Sequence, residues 1–395
     1  MSNATNVKEK QRIIIIPQNP ARDTKRARHQ FRGSRILTIL LLILALIALV
    51  HFFIAANTSG ATPPTDNCTQ LMHSTDYTRL VHLQASQEMD AVQFVNSLTG
   101  AQPSALVSIT NPGPQHTLDI YIYGCTMHQH TPTLTTLFTQ RGLLQGTVAI
   151  SSQNTLITSE LDPLASPQQS IFEQPLQQNI YREYTWRNGA FVQIPFPSLY
   201  PVVSRSEAQA LQQQADAGQT LLWSDPLATA EQMAKDLLNW PSNNSQDTML
   251  SNDGKTAQVK LVQQNPALEV TVTLKRLIEQ NNKGLWFVIS AQTPGITLKS
   301  TGQPQSSSLS ASQLAFKGTG LLADDQTTIT LFDHTLTSLN LSGISLSVDG
   351  TGTYSGILTY PQITPDQQGD LLIESLPSAN STEPDQLLLA SVILG

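Results

Sequence analysis

Residues 338–361 read SLNLSGISLSVDGTGTYSGILTYP, two strand-like runs on either side of Asp349-Gly350. Apolar and polar residues alternate with a period of two, which puts one set on each face of an extended chain. Asp-Gly between such runs is ordinary turn chemistry. The same pattern continues on both sides, in QLAFKGTG (313–320), TTITLFDH (327–334), DLLIESL (370–376) and LLLASVILG (387–395). Six or seven short strands with turn signals every eight to twelve residues predict a β-sandwich over residues 297–395.

Upstream, the period changes from two to 3.6. Ser204-Arg205-Ser206-Glu207 is a capping box ahead of AQALQQQADAG, and Gly218 is a natural stop. Asp225-Pro226 supplies an N-cap and a proline for the first helical turn, and Leu227, Ala230, Met233, Ala234, Leu237 and Leu238 share one face. Three long strand-like runs follow, TAQVKLVQQ, LEVTVTLKRLIEQ and GLWFVISAQTPGITL, so residues 204–296 are predicted to be an α+β domain with two helices on a β-meander. Residues 68–203 read as a mostly β domain of unassigned type. A short helix is expected near residues 88–98, and a hairpin at Asn188-Gly189, the dipeptide best suited to a two-residue turn.

Further back, residues 57–67 (NTSGATPPTDN) lack apolar periodicity and read as a linker. Residues 36–56, ILTILLLILALIALVHFFIAA, contain no Asp, Glu, Lys or Arg. As a helix this run would be about 31 Å long, the thickness of a bilayer core. The 35 residues before it carry nine Lys/Arg against Glu9 and Asp23, and the residues after it carry 13 against 27 Asp/Glu. The positive-inside rule therefore places residues 1–35 in the cytoplasm as a basic disordered tail. Residues 57–395 are then extracytoplasmic. The run is longer than a cleavable signal's apolar core and follows a longer basic stretch, so an uncleaved single-pass anchor is expected.

The segment GITLKSTGQPQSSSLSASQLAFKGTGLLADDQTTITLFDHTL (295–336), with GTYSGILTYP (352–361) and GDLLIESL (369–376), resembles the immunoglobulin-like domain at the C-terminus of bacterial sporulation and spore-germination proteins. Gly318, Gly320, Asp333 and Gly356 stand where that family carries its strand-end and strand glycines and its aspartate. VTVTLKRLIEQNNKGLWFVISAQTPGITL (270–298) resembles the strand-rich end of an α+β module that often precedes such domains. The resemblance implies an immunoglobulin-like sandwich in an envelope-associated, non-enzymatic setting, with no catalytic residue to carry over.

Catalytic motifs are not found: there is no nucleophile elbow, zinc-protease helix or phosphate loop. KGTGLLA (317–323) fits a loose dinucleotide-loop pattern, but a further strand follows it where that motif needs a helix. Asp333-His334 are strand neighbours on opposite faces, so a strand-end aspartate and a surface histidine are expected. Trp240 and Trp286 are expected in cores. Trp186, with Tyr184 and Phe191, is the candidate aromatic binding surface, against cross-strand pairing as the alternative. The outside portion's charge of −14 disfavours nucleic acid.

YGCTMHQHT (123–131) raises the choice between a metal site and a disulfide. Outside the cell, thiols oxidise, and the second cysteine of the chain is Cys68. A Cys68–Cys125 bridge closes a loop of about 58 residues, worth about 4 kcal/mol in chain entropy. It takes away the one soft charged ligand, leaving Met127, His128 and His130, with His116 as an addition, as the weaker metal candidates. No cofactor is expected. The expected function is a membrane-anchored, non-catalytic protein that binds or scaffolds envelope protein or cell-wall polymer. The alternatives are an envelope enzyme with a diverged hydrolase site in residues 68–203, or a ligand sensor signalling to the tail.

Overall fold

The hairpin predicted around Asp349 is present in the structure, a computed structural model, as β17 (Gly343–Val348) and β18 (Thr353–Tyr360). The Asp349 carboxylate accepts from the Thr351 and Thr353 amides at 2.8 and 3.0 Å, which fixes the turn. The structure describes residues 64–100, 103–129, 131–164, 179–240, 246–264, 267–302, 312–322, 326–376 and 385–395. The basic tail 1–35 and the apolar run 36–56 lie outside the described residues. Among the described residues no helix is long and apolar enough to cross a membrane.

Around that hairpin the chain is mostly β. A four-stranded sheet runs β14 (Thr297–Gly302), β15 (Ser312–Thr319), β18, β17. It faces β16 (Gln326–Phe332), β19 (Gln367–Leu376) and β20 (Gln386–Leu394), which pair in that order. Alternation decides what fills the gap. Leu314, Phe316, Tyr354, Leu358, Leu331, Leu371 and Ile373 point inward and are buried together, as a sandwich requires. At Gly356 even one carbon more would run into the Phe316 ring and the Ser345 carbonyl, so the close approach needs glycine.

Both predicted helices form. α3 (Arg205–Asp216) starts at Ser204, whose hydroxyl accepts from the Glu207 amide at 3.2 Å, and Gly218 follows it at φ 91°. α4 (Pro226–Leu237) starts at Asp225, which accepts from the Ala228 amide at 2.9 Å. α4 packs on β11 (Thr256–Gln264), β12 (Ala267–Lys275) and β13 (Phe287–Gln292), with β10 (Thr248–Asn252) at the edge, and α3 adds Ala208 and Leu211 to the same core. Trp223, Trp240 and Trp286 are all buried in this core.

The sheet does not stop at residue 296. β13 pairs with β20 through Ala291–Leu389 and Gln292–Leu388, so β10-β11-β12-β13-β20-β19-β16 is one seven-stranded sheet. One face of β19 and β20 fills the sandwich, and the other contributes Leu372, Leu387 and Leu389 to the helix-covered core. The last strand is thus a shared central strand. At the other boundary, Phe196, Leu199, Tyr200, Val202 and Val203 belong to the helix-covered core, and Tyr200 bridges Val288.

The first domain has two four-to-five-stranded sheets. β1 (Glu88–Met89) and β2 (Gln93–Val95) both pair with β3 (Ser104–Asn111), followed by β4 (Thr117–His128) and β5 (Thr131–Leu144). The second runs β6 (Thr147–Ile150), β7 (Leu156–Leu161), β8 (Asn179–Arg187), β9 (Ala190–Ile194). Leu106, Ile120, Ile122, Leu143, Leu156 and Tyr184 are buried in a cluster contributed by both sheets. The helix expected near residues 88–98 is replaced by β1 and β2, because backbone pairing to β3 outweighs a weak local helical pattern. The linker reading of residues 57–67 is corrected at its end: α1 (Pro64–Ser74) begins inside it, with proline at a position where its missing N–H costs nothing. α2 (Tyr77–Leu80) follows.

Candidate functional site: a buried polar seam

Where the first domain meets the sandwich, charged side chains replace apolar ones. Asp162, just past β7, accepts from the Thr364 hydroxyl at 2.9 Å and the Leu164 amide at 3.0 Å. Its other oxygen lies 3.8 Å from His334 Nδ1. That nitrogen donates to Gln367 Oε1 at 2.8 Å, and Gln367 Nε2 donates to the Thr364 carbonyl at 2.9 Å. Arg182 on β8 donates through Nη2 to Glu160 and to the Pro365 carbonyl, both at 2.6 Å. Gln193 donates to the Asp366 carbonyl at 2.8 Å. Gln368 closes the row, accepting from the Phe196 amide at 2.7 Å and donating to the Phe196 carbonyl at 2.8 Å.

This seam is dry by protein standards: the Arg182 and Glu160 side chains are 2 % and 14 % exposed. A buried ion pair gives little net stability over apolar packing, but removing one partner strands the other. Its physical role is therefore to fix one relative placement of strands β7–β9 and the 361–368 segment. Asp162→Ala removes the acceptor for Thr364 and the anion beside His334. The expected cost is about 1–3 kcal/mol in the denaturation midpoint, with faster amide exchange in residues 361–366. Unchanged exchange there would show that the seam does not hold that segment.

A narrow cleft of about 10 Å³, room for about one water molecule, opens beside the seam, lined by Tyr181, Glu183, Gln193, Phe196, Arg205 and Gln368. Arg205 grips both Glu183 oxygens at 2.9 and 3.0 Å. Nearby Glu207 is fully buried, and burial pushes its carboxyl up to about 8, partly offset by its Ser204 hydrogen bonds. The sign follows: a proton held more tightly in the fold than in the unfolded chain favours folding below 4.5. That stability is lost as pH rises through about 8. Glu207→Gln is expected to flatten this slope and gain on the order of 3 kcal/mol at pH 7 relative to pH 4.5, read from denaturation midpoints at both values. A parallel pH profile for both proteins would refute it.

The residues singled out in the sequence fall in separate places. Cys68 and Cys125 form a disulfide with an S–S distance of 2.02 Å, buried beneath α1. Met127 is 37 % exposed, with its sulfur 3.9 Å from Cys68 Sγ. His116 sits in the turn before β4, at the opposite end of that twelve-residue strand from Met127 and His128, so they cannot share an ion. His130 and the His128 side chain lie outside what is described. Among the described residues no cluster of three His, Cys, Asp or Glu can hold a metal.

Tyr184 is buried between the first domain's sheets, which takes it out of the aromatic surface read from the sequence. Trp186 and Phe191 are direct cross-strand partners on the β8–β9 hairpin, rings 5.0 Å apart, and Phe191 continues to Phe138 at 5.4 Å. Both contacts are edge-to-face. His334 was expected at the surface and is buried instead, because the first domain packs over the strand end that carries it. Neither the seam nor the cleft could be read locally, since the bonds that join the first domain to residues 365–368 link positions more than 170 apart.

No protein-family model matches this chain, and comparison with curated proteins finds no match.

Proposed function

We propose that the chain is a single-pass membrane protein whose extracytoplasmic residues 57–395 form a non-catalytic scaffold for envelope partners, protein or cell-wall polymer. The observation that carries this reading is the joining of three segments into one unit, by β13–β20 pairing on one side and by the Asp162–His334–Arg182 seam on the other. A binding scaffold has to hold its surfaces in fixed relation, and both joints do so. The filled interior between the first domain's sheets supports binding over a hydrolase in residues 68–203.

The last segment is assigned as an immunoglobulin-like sandwich. The order β14-β15-β18-β17 against β16-β19-β20 matches the ABED and CFG sheets of that fold, strand for strand. This supports the likeness to sporulation and germination envelope proteins, and with it a role in those processes. Cross-linking of the full chain in intact cells, with co-sedimentation on purified cell wall, tests the reading. Discrete cross-links or wall retention are expected. Turnover of a defined substrate by the purified chain, abolished by one point substitution, would overturn it.

A further inference from the structure

A strand at the edge of a sheet presents a row of unpaired N–H and C=O groups, and folded chains blunt such edges with charge, proline, a register break or a cover. Most edges of this chain are blunted in one of these ways. β5 contains Pro132, and its register against β4 slips twice. β10 and β14 each carry a register break, and β14 adds Lys299. β16 is covered at its C-terminal end, where the Leu339 amide donates to the Leu331 carbonyl at 2.7 Å. β1, β2 and β6 span four residues or fewer. β17 (GISLSV) has none of these devices: it is uncharged, lacks proline and pairs with β18 without a break over its whole length. Among the described residues no strand pairs with its other side.

What this edge fits is a second copy of itself. Laid antiparallel about a two-fold axis at Leu346, Ile344 stands opposite Val348 of the second copy, Leu346 opposite its own counterpart, and Ser345 opposite Ser347. Side chains alternate along a strand, so the apolar three share the sandwich face and the serines share the outer face. Leu346 and Val348 are half-buried against the sandwich core, whereas Ile344 on the same face is 53 % exposed. Self-pairing lays Ile344 against Val348 twice, once from each copy, and sets hydroxyl against hydroxyl on the outer face. Like charges do not meet, because the charges of this sheet stand away from the edge. The two Asp349 residues lie about 20 Å apart along the strands, and the two Lys317 residues, on β15, about 24 Å apart across them. Both separations exceed the screening length of about 8 Å.

We propose that the chain self-associates through β17, antiparallel and in this register, so that two four-stranded sheets become one of eight. The pairing goes beyond the scaffold reading and does not require residues 36–56 to span a bilayer. A scaffold paired in this way presents each of its surfaces twice, in fixed relation.

The test uses the full chain in detergent micelles, carrying either Ser345→Cys or Ser347→Cys. The two native cysteines are bonded to one another and do not compete. In the proposed register position 345 faces position 347, with Cβ atoms about 5 Å apart, while like positions lie on a diagonal of about 7–8 Å, too long for a disulfide. An equal mixture of the two variants is expected to form a linked dimer about tenfold faster than either variant alone. In the unsubstituted chain, amides of residues 343–348 are expected to exchange more slowly as concentration rises, while β11–β13 stay unchanged. Ser345→Lys, on the exposed face, is expected to abolish that concentration dependence and leave β11–β13 protected, which separates a lost contact from a lost fold. Equal linking rates in the mixture and in the single variants overturn the pairing, also where the copies meet elsewhere, as through residues 36–56. Slow exchange of residues 343–348 at every concentration overturns it too, because the chain then covers its own edge. Neither readout involves an envelope partner, so the scaffold reading stands or falls separately.

Discussion

Asp370→Asn is expected to stabilise the folded unit increasingly as pH rises, with no gain near pH 4. Asp370 lies on β19, between β20 and the edge strand β16 of the seven-stranded sheet, and is fully buried. Neither carboxyl oxygen has a hydrogen-bond partner, and burial alone pushes its proton affinity well above that of an ordinary aspartate. The residue directly opposite on β20 is Ser391, whose hydroxyl is also without a partner. An ionised carboxylate in such a place costs far more than a protonated one, so the fold keeps the proton.

The unfolded chain releases that proton above about 3.8. Because the folded value is raised, the stability is complete below 3.8 and drains away as pH climbs toward the folded value. The loss runs at about 1.4 kcal/mol for each pH unit over that window. Asparagine keeps the shape and has no proton to hold. Denaturation midpoints of both proteins at pH 4, 5.5 and 7 should diverge steadily. If the difference is the same at all three values, Asp370 is not the buried acid described here.

Cys125→Ala is expected to lower the stability of the first domain by about 4 kcal/mol, the chain entropy released when a loop of this length opens. The bridge joins residues 57 apart in sequence and holds α1 against β4. Beneath α1 the apolar contact is small: Met72 and the two cysteines are buried, with Leu71 and Leu134 partly covered. An isolated helix of eleven residues is marginal in water, so α1 should come loose before the sheets do. Exchange of the amides in residues 64–74 should rise sharply in the variant and in reduced wild type. The interior between the sheets, which shares no residue with that small cluster, should keep its protection. A variant that retains slow exchange in α1 would mean that packing and not the bridge holds the helix.

Much of this protein was legible locally. The strands of the last hundred residues, both capped helices, the Asn188-Gly189 hairpin and the disulfide each depend on alternation, a capping side chain, a left-handed turn or a pair of cysteines, and all of these are written within short stretches. Local pattern misled where pairing from a distance took over. Residues 88–98 carry a weak helical pattern, yet β3 offers them a backbone partner. His334 ends a strand with an ordinary polar sequence, yet the first domain covers it. Tyr184 and Trp186 look alike on the hairpin, yet the sheet packing buries the first and leaves the second at the edge of an aromatic cluster.

By itself, then, the amino-acid sequence determined most of the elements and the faces of their strands and helices, since these follow from forces acting over a few residues, and its two cysteines determined the staple. Tertiary structure alone decided that β13 and β20 share a sheet, that Asp370 loses its partners, and that Asp162, Arg182, His334 and Gln368 meet in one seam. Burial and long-range hydrogen bonding depend on which surfaces come together, and residues some 170 positions apart carry no local mark of one another.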